Sequence, residues 1–320
     1  MDIIGIDQPC LDHLILVDHI PQADTQLNME RQSWQGGGRV PTALAAAARL
    51  GAKTGLIGWA GDDRTGRYLK SSLAEEGVDV AHLCLQQGRH TDYVVALAER
   101  ATHGRAFMAR PGDCAPLTPA GVPVQYVSEA RAILLYRFDA ADVFAAQTAR
   151  RAGVTVACDC DDDEYFEPLM ANIGLIDVFI ASEFAYRRLF PDGGDPAAHC
   201  REIRQLGPST VIFTLGSRGC MGLEEDGSFF TLPACKVAVT DTTGAGDTFH
   251  GAWLYFHVNE GLGIREAARH ASAVSAIQCM HLGGRAGLPT REMAEAFLQN
   301  GSFDRTPLLE REARCAELPL

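Results

Sequence analysis

DTTGAGDTFHGA, at residues 241–252, is the most informative segment of this 320-residue chain. An apolar-alternating segment, residues 237–240, precedes it, and apolar side chains at helical spacing continue to Val258, which predicts a strand, a glycine-rich turn and a helix. Residues 244–246 have little or no side chain, so a phosphate can approach the backbone N–H groups left free in the first turn of a helix. The stretch is therefore typical of a phosphate-binding turn.

Asp247 belongs to the first turn of the same predicted helix. There its carboxylate would reach a substrate hydroxyl held against the phosphate-binding amides, which is where phosphoryl transfer needs a general base. A structural alternative stays open, in which the glycines only form a tight turn and the carboxylate complements the helix dipole.

Away from this stretch, short apolar segments alternate with helical ones. The best strand candidates are residues 2–6, 54–59, 132–136, 155–159, 178–182 and 211–215, separated by helical segments such as 40–50, 141–152 and 195–206. This alternation predicts a mainly parallel sheet with helices on both faces and ligands at the carboxyl ends of the strands. Residues 11–35 and 92–111 interrupt it, and the second stretch predicts a β-hairpin around the turn Arg100–Gly104.

Four segments resemble the PfkB, or ribokinase-like, family of carbohydrate kinases. DTTGAGDTFHGA resembles the second family signature, and residues 36–80, with paired glycines, an Ala-rich helix and a GDD turn, resemble the first. TLGSRGC, residues 214–220, resembles the nucleotide-side loop, and residues 276–289 resemble the adenine-side helix and its closing glycine-rich turn. The segments follow one another in the order of the family.

The resemblance implies a three-layer, ribokinase-like α/β fold with a mainly parallel central sheet and a small β-sheet lid. It assigns residues 1–10, 36–91 and 112–300 to the kinase core, and residues 11–35 and 92–111 to the lid over the sugar. Residues 301–320 mix Pro, charge and isolated Leu, and we expect them to form a peripheral tail. A homodimer formed through the lid is also expected.

The resemblance also implies roles for individual residues. Asp247 is the expected catalytic base, and the expected anion hole consists of the backbones of Gly244, Ala245 and Gly246. The expected substrate contacts are Asp12, Gly37, Gly38 and Thr42. The expected nucleotide contacts are Thr214, Gly216, Gly219 and Gly284, with Ser275 and Ile277 as candidates for the adenine pocket. For the small and apolar residues, packing is the alternative role.

ATP and Mg²⁺ are the expected cofactors, because the metal ion neutralises the phosphates and the charge that develops during transfer. Many relatives place Mg²⁺ through water with an Asn-x-x-Glu motif, but the matching residues here are SEFA, 182–185, whose fourth residue is not acidic. Glu183 is the candidate substitute, and a surface salt bridge is its alternative role. Relatives often bind K⁺ through residues that match Asp241, Thr243 and the carbonyls of the Gly283–Gly284 turn.

These segments indicate ATP-dependent phosphorylation of a sugar hydroxyl. A nucleoside kinase is the first alternative, because the same signatures serve ribosides and the lid segments offer Trp34, Tyr93 and Phe107 as platforms for a base. A catalytically silent sugar-binding or regulatory relative is the second, because the Asn-x-x-Glu motif is altered.

The acceptor is suggested by GGRAGLP, residues 283–289, which resembles the sulfofructose-kinase-like branch of the family. That branch phosphorylates an anionic hexose derivative. Arg137 follows a strand candidate at the edge where ligands are expected, and a guanidinium suits a carboxylate, sulfonate or phosphate. Arg39 and Arg110 are further candidates, and a solvated surface position is the alternative for each. We therefore expect a ketohexose-like or acidic sugar, with Arg137 as the anion contact.

Other polar residues near these segments have structural alternatives. Cys158 and Cys160 flank Asp159 before an acidic run, but a second Cys/His pair at zinc spacing does not accompany them. The run fits the carboxyl edge of a sheet better, where Asp159 or Asp161 would line a ligand site. An aspartate base needs no imidazole, so packing or supporting roles are expected for His13, His250 and His281.

Composition limits the partners and the location. The formal net charge of −13 provides no basic surface for nucleic acid or an anionic membrane. The N-terminal segment lacks the pattern of a signal peptide, and ten dispersed cysteines are typical of reduced thiols, so we expect a cytoplasmic protein. The expected partners are thus a sugar and ATP, with no nucleic acid and no membrane.

Overall fold

The computed structural model describes residues 1–102, 104–161 and 164–318. Its strands are β1 (Ile3–Asp7), β2 (Cys10–Val17), β3 (Arg31–Gly36), β4 (Thr54–Gly61), β5 (Val78–Asp79), β6 (Leu83–Gln86), β7 (Asp92–Glu99), β8 (Arg105–Arg110), β9 (Ala132–Leu135), β10 (Thr155–Asp159), β11 (Val178–Ser182), β12 (Thr210–Thr214), β13 (Cys220–Leu223) and β14 (Phe229–Leu232). Its α-helices are α1 (Arg39–Leu50), α2 (Arg64–Glu75), α3 (Val124–Ser128), α4 (Ala140–Ala152), α5 (Phe166–Ala171), α6 (Glu183–Leu189), α7 (Pro196–Gln205), α8 (Ala245–Leu254), α9 (Ile264–Gln278), α10 (Arg291–Asn300) and α11 (Thr306–Arg314).

The central sheet has the strand order β14-β13-β12-β11-β10-β9-β1-β4-β5, and β6 also pairs with β4. The pairs from β12 to β4 are parallel, whereas β13 and β14 are antiparallel additions at one edge. The six predicted strands are β1, β4, β9, β10, β11 and β12, which lie side by side. The predicted, mainly parallel sheet is confirmed, and its carboxyl ends share one edge.

Helices cover both faces of this sheet. One core contains buried side chains of α1, α8 and α9, such as Leu44 and Trp253. The core on the other face contains side chains of α4 and α7, such as Ala145 and Ile203. The Ala-rich helix α1 ends at Gly51, whose φ of 115° is a left-handed conformation that suits glycine at a helix end. The predicted three-layer arrangement is therefore confirmed.

A separate four-stranded sheet has the order β3-β2-β7-β8. Strand β2 pairs antiparallel with β3 and parallel with β7, and β7 and β8 form the predicted hairpin. Because successive side chains of a strand point to opposite faces, one face carries Leu14, Leu16, Ala96 and Ala98, which pack against Leu282. We call this four-stranded sheet the lid, after its predicted role. The face with these side chains is its inner face, and the opposite one is its outer face. The predicted small sheet is confirmed.

Two segments differ from expectation. Residues 237–240, predicted as a strand, are irregular, because the N–H groups of Thr240 and Asp241 donate to the carbonyl oxygen of Cys279, just beyond α9, over 2.8 and 3.2 Å. Their apolar side chains Val237 and Val239 instead line a cavity.

The expected peripheral tail is more closely attached than the sequence suggests, because it contains α11. Leu308 of this helix is fully buried, and Arg311 Nη2 lies 2.6 Å from Glu76 Oε1. Beyond the helix, the carbonyl oxygen of Cys315 accepts from the N–H of Trp34 on the edge strand β3 over 2.7 Å. The tail thus contacts both the core and the lid.

Candidate active site

The first turn of α8 forms the candidate anion hole. Gly244 precedes the helix with a φ of 75°, a left-handed conformation that favours glycine. A Cβ on Gly244 would lie 2.8 Å from the Cα of Gly284, so the helix start and the glycine-rich turn touch through their backbones. A Cβ on Gly246 would meet no atom within 4 Å. The structure therefore places Gly244, Ala245 and Gly246 at a helix N-terminus that faces open space, as an anion site requires.

Asp247 lies in the same turn, and its surroundings suit a base. Burial and the charge of Asp159 raise the pKa of Asp247 to about 7, while Arg39 and His250 act in the opposite direction. A carboxylate with a pKa near neutrality accepts a proton more readily than an ordinary aspartate does.

Two further carboxylates lie at the carboxyl end of β10, where the sequence placed them. The N–H of Asp161 donates to Asp159 Oδ1 over 3.1 Å, and Asp161 Oδ1 accepts from the N–H of Ser182 over 2.7 Å. Arg39, at the start of α1, approaches Asp159 Oδ1 to 3.7 Å through Nη1 and donates from Nη2 to the Asp161 carbonyl oxygen over 3.1 Å. The edge next to Asp247 therefore carries two carboxylates and a guanidinium close together.

Asp12 lies on the inner face of the lid, against the glycines that precede α1. A Cβ on Gly37 would lie 2.2 Å from Asp12 Oδ2, so the carboxylate rests on bare backbone. Burial raises the pKa of Asp12 to about 6, although the thiol of Cys10, which donates to Oδ1 over 3.2 Å, and the charge of Arg285 both lower it. Gly38 follows with a left-handed φ of 96°.

Arg285 is a buried cation that sequence reasoning missed. Its Nη2 donates to the Gly37 carbonyl oxygen over 2.8 Å, its Nε lies 3.4 Å from Thr42 Oγ1, and its N–H donates to Gln35 Oε1 over 2.8 Å. The sequence signal for this residue is the arginine inside GGRAGLP, residues 283–289. Thr42 is buried too, and its Oγ1 has Arg285 Nε as a hydrogen-bond partner.

A cavity of about 220 Å³ adjoins the anion hole. Its lining includes the predicted nucleotide residues Thr214, Gly216, Gly219 and Ser275, together with Gly246. At Gly219 φ is 95° and a Cβ would lie 1.9 Å from the Leu232 carbonyl oxygen, so the loop requires glycine there. Ile277, proposed for the adenine pocket, is instead fully buried in the core.

Comparison with known proteins agrees with this geometry. The profile of the pfkB family carbohydrate kinases matches residues 6–291. The chain belongs to this family. The chain is 26% identical over 305 residues to ribokinase of Haemophilus influenzae, covering 90% of this chain and 95% of that protein. It is 28% identical over 293 residues to the ATP-dependent ribose-1-phosphate kinase of Halopiger xanaduensis, covering 90% and 94%.

The fold of this pfkB-family kinase is that of solved ribokinases. The structure of Arabidopsis thaliana ribokinase complexed with ribose and ATP matches it with a TM-score of 0.78 at 21% identity, covering 93% of this chain and 98% of that one. The predicted ribokinase-like fold is thus confirmed. The family match and the named relatives confirm the predicted enzyme class, an ATP-dependent carbohydrate kinase.

Arg137 of the pfkB-family kinase lies at the predicted sheet edge, but with a partner of its own. Its Nη2 lies 3.1 Å from Oδ1 of the buried Asp7, and its Nε donates to the Tyr136 hydroxyl over 2.8 Å. The guanidinium carbon lies 4.9 Å from the centroid of Trp59. Asp7, at the carboxyl end of β1, was missed, although an aspartate ending an apolar strand is a recognisable signal.

The residues expected to meet metal ions also have protein partners. Asp241 Oδ1 accepts from the N–H and hydroxyl of Thr243, both over 2.9 Å, and Oδ2 accepts from the N–H of Gly283 over 2.9 Å. Glu183 forms salt bridges with Arg187 and Arg218, whose hydrogen bonds lower its pKa and keep it ionised. Within residues 1–102, 104–161 and 164–318, no group of three or more His, Cys, Asp and Glu side chains is arranged to hold a metal. Cys158 and Cys160 therefore belong to no such group among these residues.

The aromatic residues of the lid lie on two different faces. Phe107, opposite Ala96, belongs to the inner face and is 55% exposed, and the neighbouring Arg105 donates to the Thr242 carbonyl oxygen over 3.0 Å. Trp34 belongs to the outer face, where it stacks on His13 with ring centroids 3.7 Å apart. Tyr93 also belongs to the outer face, so Phe107 alone of the three expected platforms faces the site.

The two other candidate arginines lie in different surroundings. Arg39 reaches the carboxylates at the end of β10, whereas Arg110 ends β8 as an exposed side chain. His281 is fully buried and its Nδ1 lies 2.9 Å from Glu312 Oε2, which gives it a structural role in holding the tail. None of the helices described is long and apolar enough to cross a membrane.

Proposed function

We propose that this pfkB-family kinase transfers the γ-phosphoryl group of ATP to a sugar hydroxyl, with Asp247 as the general base. The observation that carries the proposal is the position of the Asp247 carboxylate. Asp247 directly follows Gly246, which lines the same cavity as the nucleotide loop. Arg105 of the lid donates to the carbonyl oxygen of Thr242, in the segment that leads to this helix. The proposed base and the proposed phosphate site therefore lie in the same helical turn.

In the proposed reaction, Asp247 takes the proton of the acceptor hydroxyl as its oxygen bonds to the γ-phosphorus. The bond between this phosphorus and the bridging oxygen breaks, and ADP leaves with the electron pair. The N–H groups of the first turn of α8 stabilise the charge on the transferring group. The ionised Glu183 carboxylate, which also pairs with Arg187 and Arg218, would be the oxygen donor for Mg²⁺, and a bound Mg²⁺ would neutralise phosphate charge.

Asp247→Asn tests the central role. We expect kcat to fall by about two to four orders of magnitude, the range of general base catalysis, with nucleotide affinity nearly unchanged. Asp79→Asn is the matched control, because Asp79 is half-buried, accepts from the Tyr126 hydroxyl over 2.9 Å and lies at the amino end of the sheet. A folded Asp247→Asn variant with near-normal kcat would remove Asp247 from the mechanism, and ATP turnover that no added sugar stimulates would favour the silent relative.

For the acceptor we propose a ketohexose-like or acidic sugar of the kind used by the sulfofructose-kinase-like branch, with Arg137 as the anion contact. Asp7 and the rings of Trp59 and Tyr136 hold the Arg137 guanidinium rigidly at the carboxyl edge. A held guanidinium loses little entropy when it binds an anion. The relative from Halopiger xanaduensis, named for ribose-1-phosphate, supports an anionic acceptor in this family.

Arg137→Ala tests this assignment within one variant. We expect kcat/KM to fall about 10- to 100-fold for the best anionic sugar, the worth of a hydrogen bond to a charged group, and much less for a neutral sugar. The neutral sugar is the internal control, since Arg137→Ala also leaves Asp7 without its cation. Equal losses for both sugars, or a wild type that prefers neutral ribose or a nucleoside to every anionic sugar, would exclude the anion contact.

Three further features of the enzyme are part of the proposal. A K⁺ ion beside the anion hole is supported by the contact of Asp241 with both Thr243 and the Gly283 turn. A homodimer through the lid is supported by apolar side chains on its outer face, such as Trp34 and the 59% exposed Met108. A cytoplasmic location is supported by the ten cysteines, all of which are free thiols.

A further inference from the structure

His250 is a buried side chain in the candidate site to which the proposed mechanism gives no role. It lies in α8, three residues after Asp247, and is 2% exposed. Its Nδ1 lies 2.8 Å from the carbonyl oxygen of Gly246, and its Nε2 lies 3.1 Å from the carbonyl oxygen of Ile180 on β11. Both distances are those of hydrogen bonds.

Both partners of the His250 ring are acceptors only, and this determines its protonation state. A neutral imidazole has one N–H and one lone pair, so one ring nitrogen would direct a lone pair at a carbonyl oxygen. An imidazolium donates from both nitrogens and satisfies both carbonyl oxygens. The two contacts therefore select the charged form of the ring.

The charges that face His250 favour the same form. Asp159 and Asp161 approach from the end of β10, Asp247 lies on the same helix, and Arg39 from α1 is the cation among them. Burial lowers the pKa of His250, but the charges of Asp159 and Asp161 and the two carbonyl contacts outweigh it, so the pKa is raised. Among the described residues this group has three carboxylates and one guanidinium, so a second cation offsets part of its negative charge.

We infer that His250 is a positioning residue, held as a buried imidazolium, that keeps the Asp247 carboxylate ionised and ready to accept a proton. The inference rests on the proposed role of Asp247 as the base. A cation one helical turn away stabilises the carboxylate against its protonated form, whereas Asp159 and Asp161 act against ionisation. His250 is not itself a catalytic residue, because both of its nitrogens are engaged by the backbone.

The protonation state is measured on the full-length wild type labelled with ¹⁵N-histidine. Two-bond ¹H–¹⁵N correlation spectra between pH 6 and 9 report each ring nitrogen, with His250 assigned through bonds. We expect both nitrogens of His250 to stay protonated to a higher pH than those of a histidine with the ordinary pKa of about 6.5. A neutral His250 at pH 7 would overturn the inference, and this result depends neither on a variant nor on the role of Asp247.

The effect on the base is measured with His250→Gln, which keeps N–H donors but removes the charge. We expect the acidic limb of the kcat/KM profile to move to higher pH by about one unit, so that the variant is about tenfold slower below the limb and similar to wild type above it. His257→Gln is the matched control, because His257 follows the same helix and its Nδ1 lies 2.8 Å from the carbonyl oxygen of Leu262. We expect its limb to stay in place.

A rate loss in His250→Gln that is uniform across pH would indicate a merely structural role and would overturn the inference. If His250→Gln does not fold, the same limb is measured in His250→Asn. If His250 is charged but Asp247→Asn retains a normal kcat, the proposed base fails and the positioning role fails with it. The spectra and the two profiles thus separate the failure of the inference from the failure of the proposed function.

Discussion

Gly244→Ala should disable the enzyme through the backbone alone. Gly244 has a φ of 75° at the start of α8, and its added Cβ would lie 2.8 Å from the Cα of Gly284. The left-handed conformation costs a residue with a Cβ about 1–2 kcal/mol. The contact is also about 0.7 Å closer than the ~3.5 Å at which carbon atoms pack, and such overpacking costs about 1–3 kcal/mol. Together the two effects predict a loss of about 2–5 kcal/mol in the free energy of unfolding.

Gly153→Ala is the control that separates these two effects. Gly153 also has a φ of 75°, at the end of α4, but a Cβ there would meet no atom within 4 Å. It should therefore show the conformational cost alone, about 1–2 kcal/mol, and leave the reaction untouched. The difference between the two variants measures the contact between Gly244 and the turn at Gly284.

Activity provides a second measurement for the same pair of variants. Relief of the contact moves the helix start relative to the Gly284 turn, and a misplacement approaching 1 Å at a catalytic group costs on the order of 10²-fold in rate. We expect kcat of a folded Gly244→Ala variant to fall by about that factor and kcat of Gly153→Ala to stay within about twofold of wild type. Urea unfolding and steady-state kinetics measure both effects. Equal stability losses with normal rates in both variants would refute the reasoning.

Two more predictions concern charge. Burial raises the pKa of Asp142 to about 7, above the ~3.9 of an unfolded chain, so its contribution to stability is fully present below pH 4 and is lost as the pH rises through 7. Denaturant titrations at pH 4 and pH 8 compare wild type with Asp142→Asn. Between these pH values, the free energy of unfolding of wild type should fall by up to about 4 kcal/mol relative to that of the variant. A constant difference would contradict the raised pKa of Asp142. Rates should be higher in potassium than in tetramethylammonium at equal ionic strength, because a cation at Asp241 would strengthen the phosphate cradle; equal rates would mean that no functional cation binds there.

The features that the sequence predicts well are those whose cause is local in the chain. The six central strands are short apolar runs, and α1 is an Ala-rich segment that ends at a glycine, so each was recognised within a dozen residues. The proximity of Gly244 and Asp247 is local too, because they share one helical turn, and their roles as anion hole and base stay predictions. Residues 237–240 show the limit of local patterns. They alternate like a strand, but the free N–H groups of Thr240 and Asp241 find their acceptor at Cys279, almost 40 residues away.

The charges around the site could not be predicted in the same way, because the topology pairs them. Asp7 and Arg137 are 130 residues apart, and they meet because β1 and β9 are neighbours in a parallel sheet. Asp159 lies at the end of β10, the next strand, and Arg39 approaches it from the start of α1. An isolated arginine or aspartate in a sequence is ordinarily assigned to the surface, since a buried charge is costly without a partner. Here Asp7 and Asp159 each have a cation at the carboxyl edge of the sheet, Arg137 at 3.1 Å and Arg39 at 3.7 Å respectively. The charges of Asp159 and Arg39 also shift the pKa of Asp247, in opposite directions.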